Sequence, residues 1–400
     1  MKEGWTYKKL GDIATEMFRG SGIKRDQITI EGTPCVRYGE IYTTYNISFS
    51  ECFSHTNVEF ISSPKYFSHG DLLFAITGES VEDIGKTIAY LGHERCLLGG
   101  DIVCMKHNQN PKYLSYALSS SEAIRQKGIG KTKLKVVHTN IPALSEIRIP
   151  IPSLSEQQRI VSRLDAAFSH IDEMKANAEK QLSEARALFQ KSLAKAMEPK
   201  EGWKEMFLGK IAYIFSGYAF KSADFKDYGK YQVLRIGNIK QNLLRLSENA
   251  VFIDKIDDGL LKKSLLQKGD LVITQTGTRH KRDYGFVAMV DKINLLLNQR
   301  NACLRFDNVI TAKFFLYYSY TELFKDSFFA NEGGTVGQGN VGLGTLKDMC
   351  CHFPPLSEQQ RIVERLDALS AHVCELEEYQ KKIITECDAL KQALLRKVFE

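Results

Sequence analysis

Two Gly-Lys-Thr triplets, Gly85-Lys86-Thr87 and Gly130-Lys131-Thr132, carry the residue types of a nucleotide-phosphate loop. That chemistry needs a further glycine five residues before the glycine of the triplet, so that backbone amides can wrap the phosphates. Those positions hold Ser80 and Arg125, so neither triplet completes the motif. The nine histidines show no His-Glu-x-x-His or paired metal-ligand spacing. Pro354-Pro355 follows Phe353 and precedes Leu356, so no Asn/Asp-Pro-Pro-Tyr/Phe motif of an amino-methyltransferase is present. Nine cysteines without a Cys-x-x-Cys spacing read as reduced thiols, the pattern of a cytoplasmic protein. Cys350-Cys351 is open to a metal or redox reading, but core packing explains it better. The sequence therefore predicts no catalytic residue, no metal site and no cofactor in this chain.

Clusters of charge and amide remain. Arg19, Ser21, Lys24 and Arg25 surround Gly20 and Gly22, and Lys131, Thr132, Lys133 and Lys135 follow Gly128 and Gly130. Both clusters suit phosphate contact, which positions a protein on nucleic acid without specifying sequence. The densest polar run is Thr274, Gln275, Thr276, Thr278, Arg279, Lys281 and Arg282, and Gln299, Arg300 and Asn301 form another candidate. Gln and Arg carry the donors and acceptors that match adenine and guanine edges. The competing reading of each residue is a solvated surface loop. A net charge of +6 leans toward a polyanion without demanding one.

The elements that must position these clusters come in two copies. Residues 153–166 read SLSEQQRIVSRLDA and residues 355–368 read PLSEQQRIVERLDA, identical at twelve of fourteen positions and 202 residues apart in a chain of 400. Such a repeat divides the chain into two structural halves. Upstream, Gly4-Trp5 and Leu10-Gly11-Asp12-Ile13 align with Gly202-Trp203 and Leu208-Gly209-Lys210-Ile211. Arg37-Tyr38-Gly39-Glu40-Ile41 aligns with Arg235-Ile236-Gly237-Asn238-Ile239, Gly70-Asp71-Leu72 with Gly269-Asp270-Leu271, and Thr77-Gly78 with Thr276-Gly277. Because Arg37 and Arg235 occur in both halves, they cannot explain different specificities; they either contact phosphate in both or pair with a buried acid, the structural role being preferred, and Trp5 and Trp203 fit packing. Gly333–Gly344 holds six glycines in twelve residues, either a hinge or close-approach loop or a plain flexible one.

Short apolar runs such as Thr33–Ile41, Asp71–Ile76 and Asp101–Met105 predict strands, and helices are expected at about Lys112–Lys127 and Ala312–Ala330. Ile147–Ile151 closes the first half as a strand. Beyond it, apolar positions alternate by three and four for about five heptads. Val161, Leu164, Phe168, Ile171, Lys175, Leu182 and Phe189 form one seam, and Leu366, Leu369, Val373, Leu376, Gln380, Ile383, Leu390 and Leu394 the other. Ser155 with Gln158, and Ser357 with Gln360, suggest capping boxes. At ~1.5 Å per residue each helix is ~60 Å long. Neither stripe is stable in water alone, and each is the natural partner of the other. Full antiparallel overlap sets residue i opposite 555 minus i, with Lys175 facing Gln380. The alternative is that Lys175 reaches solvent and Gln380 lies at the seam edge.

With its twice-occurring Leu-Ser-Glu-Gln-Gln-Arg-Ile-Val-x-Arg-Leu-Asp motif, long helices and divergent halves, the chain resembles the specificity subunit of type I restriction-modification enzymes over its whole length. The resemblance implies an α+β chain with two mostly-β target-recognition domains, 1–152 and 199–354. These are related by an internal pseudo-two-fold and separated by an antiparallel coiled coil of two spacer helices, 153–198 and 355–400. It implies a non-catalytic subunit that reads a bipartite, asymmetric target in double-stranded DNA. Two methyltransferase subunits would dock on it for adenine N6 methylation and motor-nuclease subunits would join for restriction, with S-adenosylmethionine, ATP and Mg on those partners. Two other readings stay open: a stand-alone DNA methyltransferase or nuclease, and a coiled-coil scaffold that reads no DNA. No apolar run approaches the ~18 residues of a membrane span.

Overall fold

The computed structural model describes residues 4–130, 136–279, 281–330, 332–335 and 337–400. Lys131, Thr132, Lys133 and Lys135 lie outside the described residues. The chain divides into two compact units, Met1–Lys180 with Gln380–Glu400, and Gln181–Tyr379. The two long helices run Leu154–Met197 and Leu356–Phe399, so each unit contains the head of one and the tail of the other.

In the first unit a five-stranded sheet has the order Ala14–Arg19, Ile102–His107, Leu72–Ala75, Thr87–Tyr90, Ser48–Phe49. Its central strand Leu72–Ala75 is buried at every position, which is why it reads as an unbroken apolar run rather than an alternating one. A second five-stranded sheet is built from Ile28–Thr29, Ser54–Thr56, Thr33–Val36, Cys96–Leu98 and Tyr66–Phe67. The entering strand Thr6–Lys9 pairs antiparallel with the closing strand Arg148–Ile151, from Thr6 opposite Ile151 to Lys9 opposite Arg148. The second unit repeats the plan with fewer strands. Ala212–Ser216, Asn301–Phe306, Leu271–Thr274 and Val287–Met289 form one sheet, Phe252–Ile253, Tyr231–Leu234 and Leu295–Leu297 another, and Lys204–Phe207 pairs with Cys350–Phe353.

Three local expectations are corrected. The run expected as one strand from Thr33 stops at Val36 and continues as the helix Tyr38–Thr43, because the Glu40 carboxylate accepts the Arg37 amide at 3.0 Å and starts a turn. Each expected helix of the globular part is two helices, Pro111–Ala117 and Ser121–Lys127 in one unit, Val309–Tyr318 and Glu322–Phe329 in the other. Ser120 and Thr321 cap the second member of each pair through their hydroxyls, which favours a restart over continuation. The first long helix is capped by Ser153, whose Oγ accepts the Glu156 amide at 3.3 Å, rather than by Ser155, and the second begins after Pro355.

The repeated motif bolts each helix head to its own globular part. Gln157 is wholly buried, and its amide donates to the Pro152 carbonyl at 2.9 Å and to Gln109 at 2.8 Å. Gln359 repeats the first of these with Pro354 at 2.8 Å. Two turns on, Asp165 accepts from Lys112 Nζ at 2.6 Å and Tyr116 Oη at 2.8 Å. Asp367 accepts from Lys313 Nζ and Tyr317 Oη, both at 2.7 Å. Around the bolts lie two apolar clusters, each holding a helix head and a helix tail. Ile160, Val161, Leu164 and Phe168 pack with Leu395 and Phe399 in the first unit, and Ile362, Val363 and Leu366 with Leu193 and Met197 in the second.

Within each unit the two helix segments run antiparallel. In the first, Asp172 pairs with Lys391 and Lys175 with Asp388 at 2.9 Å; in the second, Arg186 pairs with Glu377 at 2.7 Å. The residue numbers of these pairs add to 563 (172 with 391, 175 with 388, 186 with 377) instead of the expected 555. Lys175 therefore meets an acid, and Gln380 is buried elsewhere, at 3% exposure. The shift arises because the first ten or so residues of each helix are taken up by docking to the sheet domain. Val161, Leu164, Phe168, Ile171 and Leu366 are buried, and Leu182, Phe189, Leu369, Val373, Leu376, Ile383 and Leu394 are half-buried. Leu390, expected in the seam, is exposed. Past Cys387 the stripe steps by four, through Lys391 above the Phe168 ring to buried Leu395 and Phe399. A 3.6-residue helix drifts in this way from a strict 3.5 repeat.

Replacing Asp165 or Asp367 with Ala should destabilise the unit that carries it by about 1–3 kcal/mol, since each acid takes two charge-assisted hydrogen bonds. Urea denaturation followed by circular dichroism reads this, and unchanged midpoints would show that apolar contact alone holds the helix heads.

Candidate nucleic-acid interface

The first-domain cluster separates into engaged and available charges. Arg19, at the end of its strand, binds the Gly100 carbonyl and the Asp101 carboxylate, each at 2.5 Å, so its charge is neutralised. Ser21 gives its hydroxyl to the Ser63 carbonyl. Lys24 and Arg25 are exposed and form no ion pair among the described residues. Among the described residues they are the exposed, unpaired cations of this loop.

The Gly85-Lys86-Thr87 triplet is structural. Lys86 Nζ donates to the Tyr42 and Tyr45 carbonyls at 3.3 and 3.0 Å, and Thr87 Oγ1 accepts from Lys127 Nζ at 3.1 Å. Lys127 is buried, its second partner is the Leu118 carbonyl at 2.8 Å, and burial pushes its ammonium down to about 7. Burial likewise pushes the Cys35 and Cys351 thiols up to about 12, removing them from nucleophilic chemistry. Cys351 packs in the apolar cluster of the second unit, and the described residues contain no grouping of three metal-binding side chains.

In the second domain three candidates are withdrawn. Thr274 is buried, with its hydroxyl accepting the Phe286 amide at 3.0 Å. Gln275 is buried and donates to the Val341 carbonyl at 3.0 Å. Asn301 is wholly buried and donates to the Asn298 and Gln299 carbonyls at 3.2 and 3.3 Å. Each satisfies loop backbone groups that would otherwise be orphaned, an amide for Thr274 and carbonyls for Gln275 and Asn301. The rest of the run lies nearer the surface. Thr278 bonds Asp283 through both its amide, at 2.6 Å, and its hydroxyl, and those bonds hold the Asp283 carboxyl below the usual range. Arg279 is tied to Glu332 at 3.1 Å, Arg282 lies 4.9 Å from the Phe329 ring centre, and Lys281 and Gln299 are exposed.

Thr276, Thr278 and Arg300 line an open cavity of about 450 Å³, together with Lys240, Phe286 and Gln338. Lys240 and Gln338 were not among the sequence candidates. Lys240 hides in a framework segment. Gln338 sits in the glycine-rich stretch, which is a hairpin rather than a slack loop, with Gly333–Thr335 and Gln338–Asn340 extending the strand Thr276–Thr278. At Gly339 a Cβ would meet the Glu332 carboxylate and the Tyr284 hydroxyl, so a larger residue there would have to displace those two side-chain ends.

The framework arginines are positioning groups. Arg37 pairs with buried Glu40 at 2.9 Å. In the second half the acid becomes Asn238, and Arg235 turns to the Asn249 carbonyl. Asp71 and Asp270, from the repeated Gly-Asp-Leu, are buried and bind Lys106 and Arg305. Trp203 packs on Phe314 at 5.7 Å, and Trp5 against the first core.

Both halves, residues 2–184 and 200–386, match the family of the type I restriction modification DNA specificity domain. The chain belongs to that family. Each match begins in a sheet domain and runs into the long helix after it, so the helix is part of the specificity domain. The chain is 23% identical to the EcoKI specificity subunit of Escherichia coli K12 and 22% to the StySPI specificity subunit of Salmonella potsdam, in each case over 100% of this chain and 89% of the relative. A putative MjaX specificity subunit of Methanocaldococcus jannaschii is 24% identical over 92% of this chain and 87% of that one. A chain from work on complex assembly of the type I R-M system shares the fold with a TM-score of 0.77 at 18% identity, covering 99% of this chain and 98% of its own. The HsdS subunit of Thermoanaerobacter tengcongensis does so at 0.56 and 18%, covering 100% and 97%. No helix among the described residues is long and apolar enough to cross a membrane.

Lys127 gives this specificity domain a pH signature. Its folded value near 7 lies below the unfolded one, so between about pH 7 and 10 the unfolded chain holds a proton that the folded chain lacks, and stability rises with pH. Lys127→Met should flatten that rise by about 2 kcal/mol between pH 7 and 9, read from denaturation midpoints. Equal pH slopes in both proteins would refute a neutral Lys127.

Proposed function

We propose that this chain is the DNA sequence-recognition subunit of a type I restriction-modification complex and performs no catalysis itself. The observation that carries the reading is the duplicated specificity domain. Two halves keep the same bolts, Gln157 with Asp165 and Gln359 with Asp367, while the polar residues at their exposed surfaces differ. Identical frameworks with different surfaces are what a reader of two unrelated half-sites requires, whereas a symmetric dimer reads a palindrome.

In this reading Lys24 and Arg25 of the first domain contact phosphate, with Lys131, Thr132, Lys133 and Lys135 proposed for the same task. Thr276, Thr278, Arg279, Lys281, Arg282, Gln299 and Arg300 face the half-site of the second domain. Two methyltransferase subunits dock on the long helices and adjoining faces and carry S-adenosylmethionine. Motor-nuclease subunits with ATP and Mg complete the restricting form. The adenine to be methylated is flipped into the partner's pocket, because its N6 is out of reach inside a duplex. The long helices set the separation of the half-sites, and the site of action is the cytoplasm.

Deleting one heptad from each helix, at matched positions, should change the spacer of the methylated target or abolish methylation when the chain is combined with its methyltransferase subunits. An unchanged spacer would refute the role of the helices. Methyl transfer by the purified chain alone would favour the stand-alone enzyme, and binding indifferent to both salt and sequence would favour the scaffold.

A further inference from the structure

The two halves superpose in hydrogen-bond pattern at the turn before the last long strand of each main sheet, and there their chemistry diverges. In the first domain the Gly20 amide bonds the Ile102 carbonyl and the Ile76 amide bonds the Asp101 carbonyl, at 2.9 and 3.0 Å. In the second the Gly217 amide bonds the Asn301 carbonyl and the Gln275 amide bonds the Arg300 carbonyl, both at 2.9 Å. Arg300 thus occupies the position of Asp101. Asp101 is neutralised by Arg19 at 2.5 Å, whereas the residue matching Arg19 is Ser216, and Arg300 forms no ion pair among the described residues. Arg300 also holds a φ of 67°, a left-handed conformation that a side chain other than glycine, asparagine or aspartate rarely adopts.

A second difference opens space beside it. By the alignment of Arg37–Ile41 with Arg235–Ile239, Tyr42 corresponds to Lys240. The Tyr42 hydroxyl donates to the Thr77 carbonyl at 3.1 Å and stands 2.9 Å from where a Cβ on Gly78 would be, so it covers the Thr77-Gly78 strand. In the second domain Lys240 swings over the Phe286 ring, 5.7 Å from its centre, and the matching Thr276-Gly277 strand lines the cavity of about 450 Å³. Four other cations of this domain are held by acids: Arg279 by Glu332, Arg305 by Asp270, Arg245 by Glu248 and Lys226 by Asp254. Lys240 and Arg300 form no ion pair among the described residues and share one concavity with the exposed Gln338; its one lining acid, Asp283, is bonded to the Thr278 amide and hydroxyl.

We infer that this cavity, at the place in the fold that Tyr42 and the Arg19–Asp101 pair close in the first domain, reads a G·C base pair of the second domain's half-site through Arg300. This rests on the proposed function and assigns its chemistry. The Arg300 guanidinium, free of any acid, supplies the two parallel donors that match guanine O6 and N7. Gln338 addresses the neighbouring pair, and Lys240 neutralises a phosphate.

The test reconstitutes the full chain with its methyltransferase subunits and sequences methylated sites for the wild type, Arg300→Ala, Arg300→Lys and Lys240→Tyr. Arg300→Ala should relax one guanine in one half-site, lowering discrimination there about 5- to 150-fold and leaving the other half-site intact. Arg300→Lys should retain DNA binding but lose the same guanine, because a lysine cannot make the paired contact. Lys240→Tyr, which rebuilds the plug of the first domain, should weaken that half-site and reduce the salt dependence of binding by about one counterion. An unchanged motif in Arg300→Ala, or equal loss in both halves, overturns the inference while leaving the recognition function standing. A wild-type chain that directs no methylation at all would overturn that function too, and the intact half-site in each variant shows that the protein is folded.

Discussion

The structure depends on two carboxylates, Asp165 and Asp367, each seated about three turns into a 44-residue helix. Each holds a lysine ammonium and a tyrosine hydroxyl from a helix of its globular part, and a buried glutamine two turns earlier in the motif ties the helix start to the preceding strand. A helix of this length with one apolar stripe has no stable orientation of its own in water. Once its head is fixed, the direction of its axis from the sheet domain is fixed as well. Every downstream contact follows, including the Lys175–Asp388 and Arg186–Glu377 pairs.

This explains why the motif is so similar in the two halves when the domains around it differ. The matching positions include the groups that set an axis: the buried glutamine, the aspartate, and the apolar residues at Val161 and Leu164 or Val363 and Leu366. Divergence is concentrated where no axis depends on it. Glu40 becomes Asn238 and Tyr42 becomes Lys240 in a segment that is a helix in the first half and a turn followed by a short strand in the second, and Asp101 becomes Arg300 in the turn before a matching strand. A recognition protein built in this way can change what it reads without changing where its helices point.

Much of this was legible in the residues. The repeat gave the two halves and both long helices to within one residue, because a seam sustained for many turns sums many weak signals. Burial of the framework aspartates could not be read, since Asp71 and Asp165 look alike in sequence and only the neighbouring Lys106 or Lys112 separates their roles. The helix register was missed by eight residues for a related reason. The pattern shows which face is apolar, but not that the first turns of that face lie on a sheet domain rather than on the other helix. Among the candidate contacts, Thr274, Gln275 and Asn301 misled because polar residues that satisfy loop amides and carbonyls resemble polar residues that await a ligand. Lys240 and Gln338 escaped notice because what marks them is a missing partner, and that exists only in three dimensions.

The central claim is that two fixed, non-equivalent surfaces read DNA through one chain. Mapping N6-methyladenine across a genome in cells that carry this chain with its methyltransferase subunits, and in cells lacking only this chain, tests it most directly. The account predicts a single motif lost with the chain, made of two unrelated half-sites on either side of a spacer of constant length and arbitrary sequence. A contiguous motif, a palindrome, or methylation that persists without the chain would contradict it.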